Sequence, residues 1–380
     1  MAVRHADLVI VGGGAMGLAT AWAAAPRADV VVVERFDPGH ARGASHGGER
    51  IWRHAYVHPA YVAMALAAED HWHRLERASG RPLLHLVGCV EHGDHAELGP
   101  LARTSAAFGV PTERLSAGEA GRRWPALRFA TDVLVQPRAG WVRAADGLVA
   151  LAAGAAAAGA DLRFGAPARA GPDPRGDGVR VVVGDDEIRA PVAVVTGGAW
   201  AADLLAPFGV SLPPLVTTEE HVFFLAPRPG TAAAAVPSFI HWEGRNRYGL
   251  PTVDGLVKVG EHHTGTVTTG DDRTGAADPA RVARIEAYAR AWLPGVVPEV
   301  VASTTCLYTT TPTQHFVLDR VGPVVIGCGF SGHGFKFVPE IGHRLAALAL
   351  DGASSGAPFS LVAHVAHAHA SPGAVLPPSA

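Results

Sequence analysis

The feature that most constrains the fold lies near the beginning of the sequence. Leu8-Val9-Ile10-Val11 runs directly into Gly12-Gly13-Gly14-Ala15-Met16-Gly17, and Glu34 follows twenty-two positions after Gly12. A strand that enters a glycine turn and opens a helix leaves unpaired backbone N–H groups and a helix dipole facing outward, the arrangement that holds a pyrophosphate. Gly12, Gly14 and Gly17 occupy the three glycine positions of this dinucleotide fingerprint, and Ala15 and Met16 complete the first turn of its helix. Glu34 closes the next strand, Val30-Val31-Val32-Val33, where a carboxylate can hold a ribose hydroxyl. Glycines alone are weak evidence, since many are only turns. The strand before, the alanine-rich helix after and the acid at the right distance make the pattern specific.

Composition narrows the class. The chain has 380 residues, of which 48% are hydrophobic, enough for a large core and about two domains. Lys+Arg 32 against Asp+Glu 35 gives a net charge of -3, so no basic field favours nucleic acid or an anionic membrane. The longest apolar run, Leu148 to Ala160, is broken by Gly154 and Gly159 and falls short of the roughly 20 residues that span a bilayer. It reads as a small-residue helix packed on a sheet. No charged-then-apolar leader precedes the first strand, and Cys89, Cys306 and Cys328 form an odd set without paired spacing; a reduced, cytoplasmic protein is expected.

Past the first βαβ unit, a glycine-broken loop from Gly39 to Gly48 leads to Glu49-Arg50-Ile51-Trp52-Arg53-His54-Ala55-Tyr56. Apolar residues at spacings of three and four predict a helix from Tyr61 to about Ser79. Strand formers over Leu83 to Val90 are interrupted by Gly88, a candidate bulge. A hairpin turning at Gly184-Asp185-Asp186 feeds Val192-Ala193-Val194-Val195, a return to the nucleotide-binding sheet. A second excursion covers about Thr217 to Phe316. The chain then comes back through Val324-Val325-Ile326, the loop Gly327 to Lys336, and a helix near Pro339 to Leu350. The expected organisation is α/β: a Rossmann-type domain from 1–82, 148–216 and 317–380, and an α+β domain with an antiparallel sheet from 83–147 and 217–316. The tail from Ser371 to Ala380 is expected to fray.

Taken together, these segments resemble the flavin amine oxidases of the monomeric sarcosine oxidase and N-methyltryptophan oxidase family. The most specific matches are Gly12 to Gly17, Arg50 to Tyr56, Lys258-Val259-Gly260-Glu261-His262, Thr305-Cys306-Leu307-Tyr308-Thr309 and Gly329 to Lys336, in the right order over nearly the whole chain. The resemblance implies FAD, with the isoalloxazine ring between the two domains. It implies a thioether from Cys306 to the flavin, where an unmatched cysteine would be read as core filling. It also assigns Arg35, Gly329, Gly332, Gly334 and Phe335 to the cofactor and places Arg50 against the flavin face.

By the same resemblance, Arg53 and Lys336 clamp a substrate carboxylate, a sound pairing of a two-donor guanidinium with a point charge. Lys258 activates oxygen, and His262 is the active-site histidine. Residues four apart on a strand share a face, so Lys258 and His262 point the same way, and His263 points away and takes no role. Tyr248 and Tyr308 are walls of the pocket. Glu49 stands where the family has a small uncharged residue, and pairing with Lys258, selection of a substrate with extra positive character, and neutralisation of Arg50 are all open. His364, His367 and His369 put no more than two imidazoles on one face, so no metal site is assigned.

The implied reaction passes a hydride equivalent from the carbon beside a neutral secondary amine to FAD. Oxygen then takes the electrons and leaves hydrogen peroxide, and water hydrolyses the imine. The partners are therefore a small secondary amino acid, sarcosine or another N-methyl amino acid, and molecular oxygen. A cyclic imino-acid oxidase and a biosynthetic amine oxidase are alternatives. A flavin-binding protein without turnover is disfavoured because Lys258, His262 and Arg53 are all present.

Overall fold

The computed structural model describes residues 3–370, so the tail 371–380 and its expected fraying lie outside the described residues. Leu8–Val11 and Val30–Val33 are buried along their whole length. Continuous branched apolar runs of this kind suit strands covered on both faces. They form the centre of a six-stranded sheet with the order Asp161–Arg163, Val30–Val33, Leu8–Val11, Val192–Val195, Val324–Cys328, Val317–Val321. All neighbours are parallel except the final pair, which is a hairpin.

One face of this sheet carries the helices Ala15–Ala24, Pro59–Ser79, Ala144–Ala157 and Val338–Leu350. Small residues let them approach closely: a Cβ on Gly342 would collide with Ala19, and one on Gly154 would lie 2.7 Å from the Trp22 ring. The helix around Leu148 thus packs chiefly on other helices, not on a sheet as its composition suggested. The opposite face is covered by a four-stranded sheet in which the predicted hairpin, Val179–Val183 with Asp186–Ala190, lies between Val3–His5 and Ala168–Pro172.

The second region is a nine-stranded sheet built mainly around the ribbon of Val216–Pro227 with Val296–Thr310 and backed by the helix Pro279–Trp292. Its pairs are antiparallel, with one exception: Ser238–Trp242 runs parallel to Cys89–Gly93. The strand expected over Leu83 to Val90 is divided. Gly88, at φ +86, ends Leu84–His85, which pairs with Gly140–Arg143, and Cys89–Gly93 enters the large sheet instead. Glu49–Trp52 lies on the other edge of Gly140–Arg143. After Trp52 the polypeptide touches the large sheet at Ala55, whose N–H donates to the Gln136 side chain, and then enters the helix Pro59–Ser79.

Candidate active site

At the nucleotide end, the backbone leaves no room for side chains. Gly12 has φ +106, and a Cβ there would stand 2.7 Å from the Thr196 carbonyl oxygen, while one on Gly17 would overlap the Gly12 carbonyl. Gly14 caps the helix Ala15–Ala24 without any side-chain bond. The Glu34 carboxylate accepts N–H groups from Gly13 at 2.7 Å and Phe36 at 3.0 Å, which ties the second strand to the glycine turn. This is a cradle that any Cβ would fill, at a helix N-terminus suited to an anion, and it fits the pyrophosphate and ribose of FAD. Met16 reaches the late glycine loop, where a Cβ on Gly334 would lie 3.2 Å from its methyl group. Arg35 is half exposed and pairs with Asp271 at 3.0 Å, with its guanidinium over the Phe36 ring.

Distant segments meet around Lys258, which stands on the buried strand Val257–Glu261. Its ammonium donates to the Glu49 carbonyl at 2.8 Å, whereas the Glu49 carboxylate accepts the Val253 N–H at 3.0 Å. The pairing of Glu49 with Lys258 is therefore made by the backbone and not by the acid. Burial, reinforced by Arg50, pushes the Lys258 ammonium down to about 7. Arg50 donates to the carbonyls of Glu49, Ala44 and His46 and lies 5.5 Å from the Phe335 ring centre. Its guanidinium thus organises the loop before it. Cys306, on the ribbon strand Val296–Thr310, is a free, half-buried thiol whose Sγ lies 3.5 Å from the Ala44 carbonyl on that same loop.

His262 follows the end of the Lys258 strand. Its Nδ1 is 3.4 Å from the Tyr308 hydroxyl. Burial, with His263 and His333 nearby, holds its imidazole well below the ordinary range, so it is neutral near pH 7. His263 does not point away. The strand stops at Glu261, and a φ of +56 at His263 turns its ring back to 4.1 Å from that of His262 and 5.5 Å from that of Tyr308. Strict alternation ends where the strand does. Tyr248 fills the space over Gly260, where a Cβ would sit 2.7 Å from its ring, and Tyr308 fills the space over Gly332. Gly332 and Gly329 both have positive φ, at +73 and +64.

Arg53 and Lys336 converge on one aromatic ring. The Arg53 guanidinium lies 4.4 Å and the Lys336 ammonium 5.5 Å from the centre of Tyr56, whose buried hydroxyl has no partner. Lys336 donates to the His333 carbonyl at 2.9 Å, and the Trp72 indole N–H holds the Lys336 carbonyl at 2.8 Å. Burial, then the nearby Arg53, drives Lys336 well below its ordinary range. Tyr56, His333 and the buried Glu91 were not singled out from sequence. For Glu91 a signal existed: a carboxylate directly after strand formers at Cys89 and Val90, in a strand buried along four of its five residues. Among the described residues no cluster of His, Cys, Asp and Glu could hold a metal. His364 bonds to Phe316 and Thr313, and the side chains of His367 and His369 lie outside those described.

The model of the family DAO, FAD dependent oxidoreductase, matches residues 7–348. Monomeric sarcosine oxidase of Streptomyces avermitilis is 34% identical over 368 residues, covering 92% of this chain and 94% of that protein. N-methyl-L-tryptophan oxidase of Yersinia pestis is 28% identical, with 91% and 95% covered. In three dimensions the chain is similar to NikD, described as an unusual amino acid oxidase essential for nikkomycin biosynthesis, with a TM-score of 0.81, 28% identity, and 93% and 96% of the two chains covered. The glycine cradle, the parallel sheet that bears it and these matches together make the chain a member of the FAD-dependent oxidoreductase family, among its amine oxidases related to monomeric sarcosine oxidase.

Proposed function

We propose that this protein oxidises a secondary amino acid with one carboxylate, sarcosine or another N-methyl amino acid, using molecular oxygen and releasing hydrogen peroxide. The observation that carries the reading is the convergence of Arg53 and Lys336 on Tyr56. Against the one buried carboxylate of Glu91, which pairs with Arg53, these two cations leave a positive charge that calls for a further anion. When bound, FAD supplies the two-electron acceptor for the C–H bond beside the amine. Arg53 and Lys336 hold the carboxylate and so fix which carbon is presented. His262, neutral through burial, offers a hydrogen bond without a charge, which suits an amine in its unprotonated form. Lys258, anchored on the Glu49 carbonyl, keeps a cation where charge develops on oxygen. Arg50 and Phe335 border the same space, and Tyr248 and Tyr308 wall it. The imine product takes up water and gives an aldehyde and the primary amine; for sarcosine these are formaldehyde and glycine.

Covalent attachment of the flavin through Cys306 belongs to the same reading. It is supported by the free thiol of Cys306 lying against the Ala44 carbonyl, on the loop that Arg50 organises. So does a cytoplasmic location, supported by three free cysteines. The likeness to NikD favours a second reading, a biosynthetic amine oxidase, with the same clamp and a different pocket wall.

Acid precipitation and a peroxide assay test these points together. Wild-type protein is expected to give a yellow pellet and to release peroxide from sarcosine or another member of a secondary-amine panel. Cys306→Ala is expected to leave the colour in the supernatant. A yellow pellet from that variant places any covalent link elsewhere, and no peroxide from any amine in the panel refutes the oxidase reading.

A further inference from the structure

Arg53 is gripped from one side only. Its Nη1 donates to the Ala55 carbonyl at 2.6 Å and to Glu91 Oε1 at 3.1 Å, while among the described residues Nε and Nη2 meet no acceptor. Glu91 has no exposed surface at all. Burying a carboxylate costs several kcal/mol unless its oxygens are bonded, roughly as for any ion taken from water. Both are bonded here: Oε1 accepts from Arg53 and from the Gln136 amide, and Oε2 accepts the Trp242 indole N–H at 2.9 Å.

Gln136 is itself oriented, because its carbonyl oxygen accepts the Ala55 N–H at 2.9 Å. The frame therefore fixes the backbone two residues beyond Arg53 and the Arg53 side chain at the same time. It draws on three strands of the large sheet, Cys89–Gly93, Val133–Gln136 and Ser238–Trp242, so the clamp is registered against that sheet and not only against its own segment.

The charges also balance. Arg53, Lys336 and Glu91 together carry one net positive charge when the lysine is protonated. A single substrate carboxylate cancels it. A second carboxylate would bring the net charge of the group to minus one, and like charges brought together where water screens little repel strongly.

We propose that Glu91 is a positioning and specificity residue: it holds Arg53 by one guanidinium nitrogen, leaves the others open to substrate, and confines the site to amino acids bearing one carboxylate. The inference rests on reading Arg53 and Lys336 as the carboxylate clamp. N-methyl derivatives of neutral amino acids are then accepted, and those of aspartate and glutamate are turned away.

The test is titration of the flavin-loaded protein with acetate and with malonate, followed by the change in flavin absorbance. Wild type is expected to bind acetate at least about tenfold more tightly than malonate. Glu91→Gln removes the charge and keeps one acceptor oxygen, which can serve the Arg53 side or Trp242 but not both, so the preference for acetate should fall by about tenfold. Glu91→Asp keeps the charge and withdraws it from Arg53, so the preference should survive while acetate binds several-fold more weakly. An unchanged preference in Glu91→Gln overturns the specificity role. Wild-type acetate affinity in Glu91→Asp overturns the positioning role, and this arm stands even where Glu91→Gln folds poorly. Arg53→Met separates the premises: if it binds acetate like wild type the clamp itself falls, whereas weak binding there with an unchanged Glu91→Gln removes only the inference about Glu91.

Discussion

The nucleotide end and the catalytic face are built on opposite principles. The first is continuous in sequence, from Leu8 to Glu34, and works by the absence of side chains: Gly12 and Gly17 lie where any Cβ meets a carbonyl. The second gathers Arg50, Arg53, Glu91, Lys258, Cys306 and Lys336 from separate strands and loops, and works by buried or half-buried side chains, most of them charged, that are tethered one by one. A region made of backbone fails as a unit when altered. A region made of tethered side chains loses one task at a time.

Gly17→Ala breaks that contrast most severely. Its methyl group must displace the Gly12 carbonyl, and overpacking against backbone costs about 3 kcal/mol or more. The expected outcome is protein with little bound flavin and a lowered melting temperature, read by the ratio of flavin to protein absorbance and by thermal melts. Full flavin content would show that the glycine turn yields more than its contacts indicate.

Lys258→Met sits on the other side of the comparison and should leave flavin content intact. Removing a fixed cation from developing charge slows the oxygen step by about 10²–10³-fold, with reduction by substrate much less affected. Stopped-flow traces of the two half-reactions distinguish them, and equal slowing of both would end the assignment. The same variant gives a pH signature. Lys258 in the folded protein titrates near 7, far below its unfolded value, so the unfolded chain binds more protons between 7 and 10 and this lysine's contribution rises with pH. Wild type should therefore gain on Lys258→Met in urea melts as pH is raised from 7 to 10, and a constant gap would count against the buried, tethered amine.

Arg53→Met and Lys336→Met are the smallest perturbations. Each removes one charge-assisted hydrogen bond, about 1.5–3 kcal/mol, so a carboxylate ligand should bind about 10–100-fold more weakly, with the flavin spectrum of the free protein little changed. Ligands without a carboxylate should bind all three forms alike. If they also weaken, the two cations serve packing and not recognition.

Legibility in the sequence follows the same division. The fingerprint was readable because its strand, glycine turn, helix and Glu34 lie within a few tens of residues, and spacing encodes them, although Gly12 also packs on the distant Thr196 carbonyl. The candidate site residues were nameable through resemblance, but their tethers were not. Glu49 reaches Lys258 by its carbonyl, which no side-chain identity reveals. His263 defeats the alternation rule because one residue at positive φ reverses its direction. Gly88 was visible as an interruption, yet whether a glycine bulges a strand or splits it between two sheets depends on distant partners in Val133–Gln136 and Gly140–Arg143. The parallel pairing of Cys89–Gly93 with Ser238–Trp242 is equally non-local. It is also what brings Trp242 to Glu91.

The strand order of the cofactor sheet has a consequence for how the protein is made. Leu8–Val11 is flanked by Val30–Val33 and Val192–Val195, and the latter is completed only by Val324–Cys328. A ribosome adding about 5–20 residues per second needs roughly 15–60 s to pass from the first of these strands to the last. Throughout that interval the glycine turn has one permanent neighbour, and the strand that will cover its other edge is either unmade or unsupported. The element most easily recognised in the sequence is therefore among the latest to become a binding site, and FAD joins a chain whose large sheet has already been synthesised.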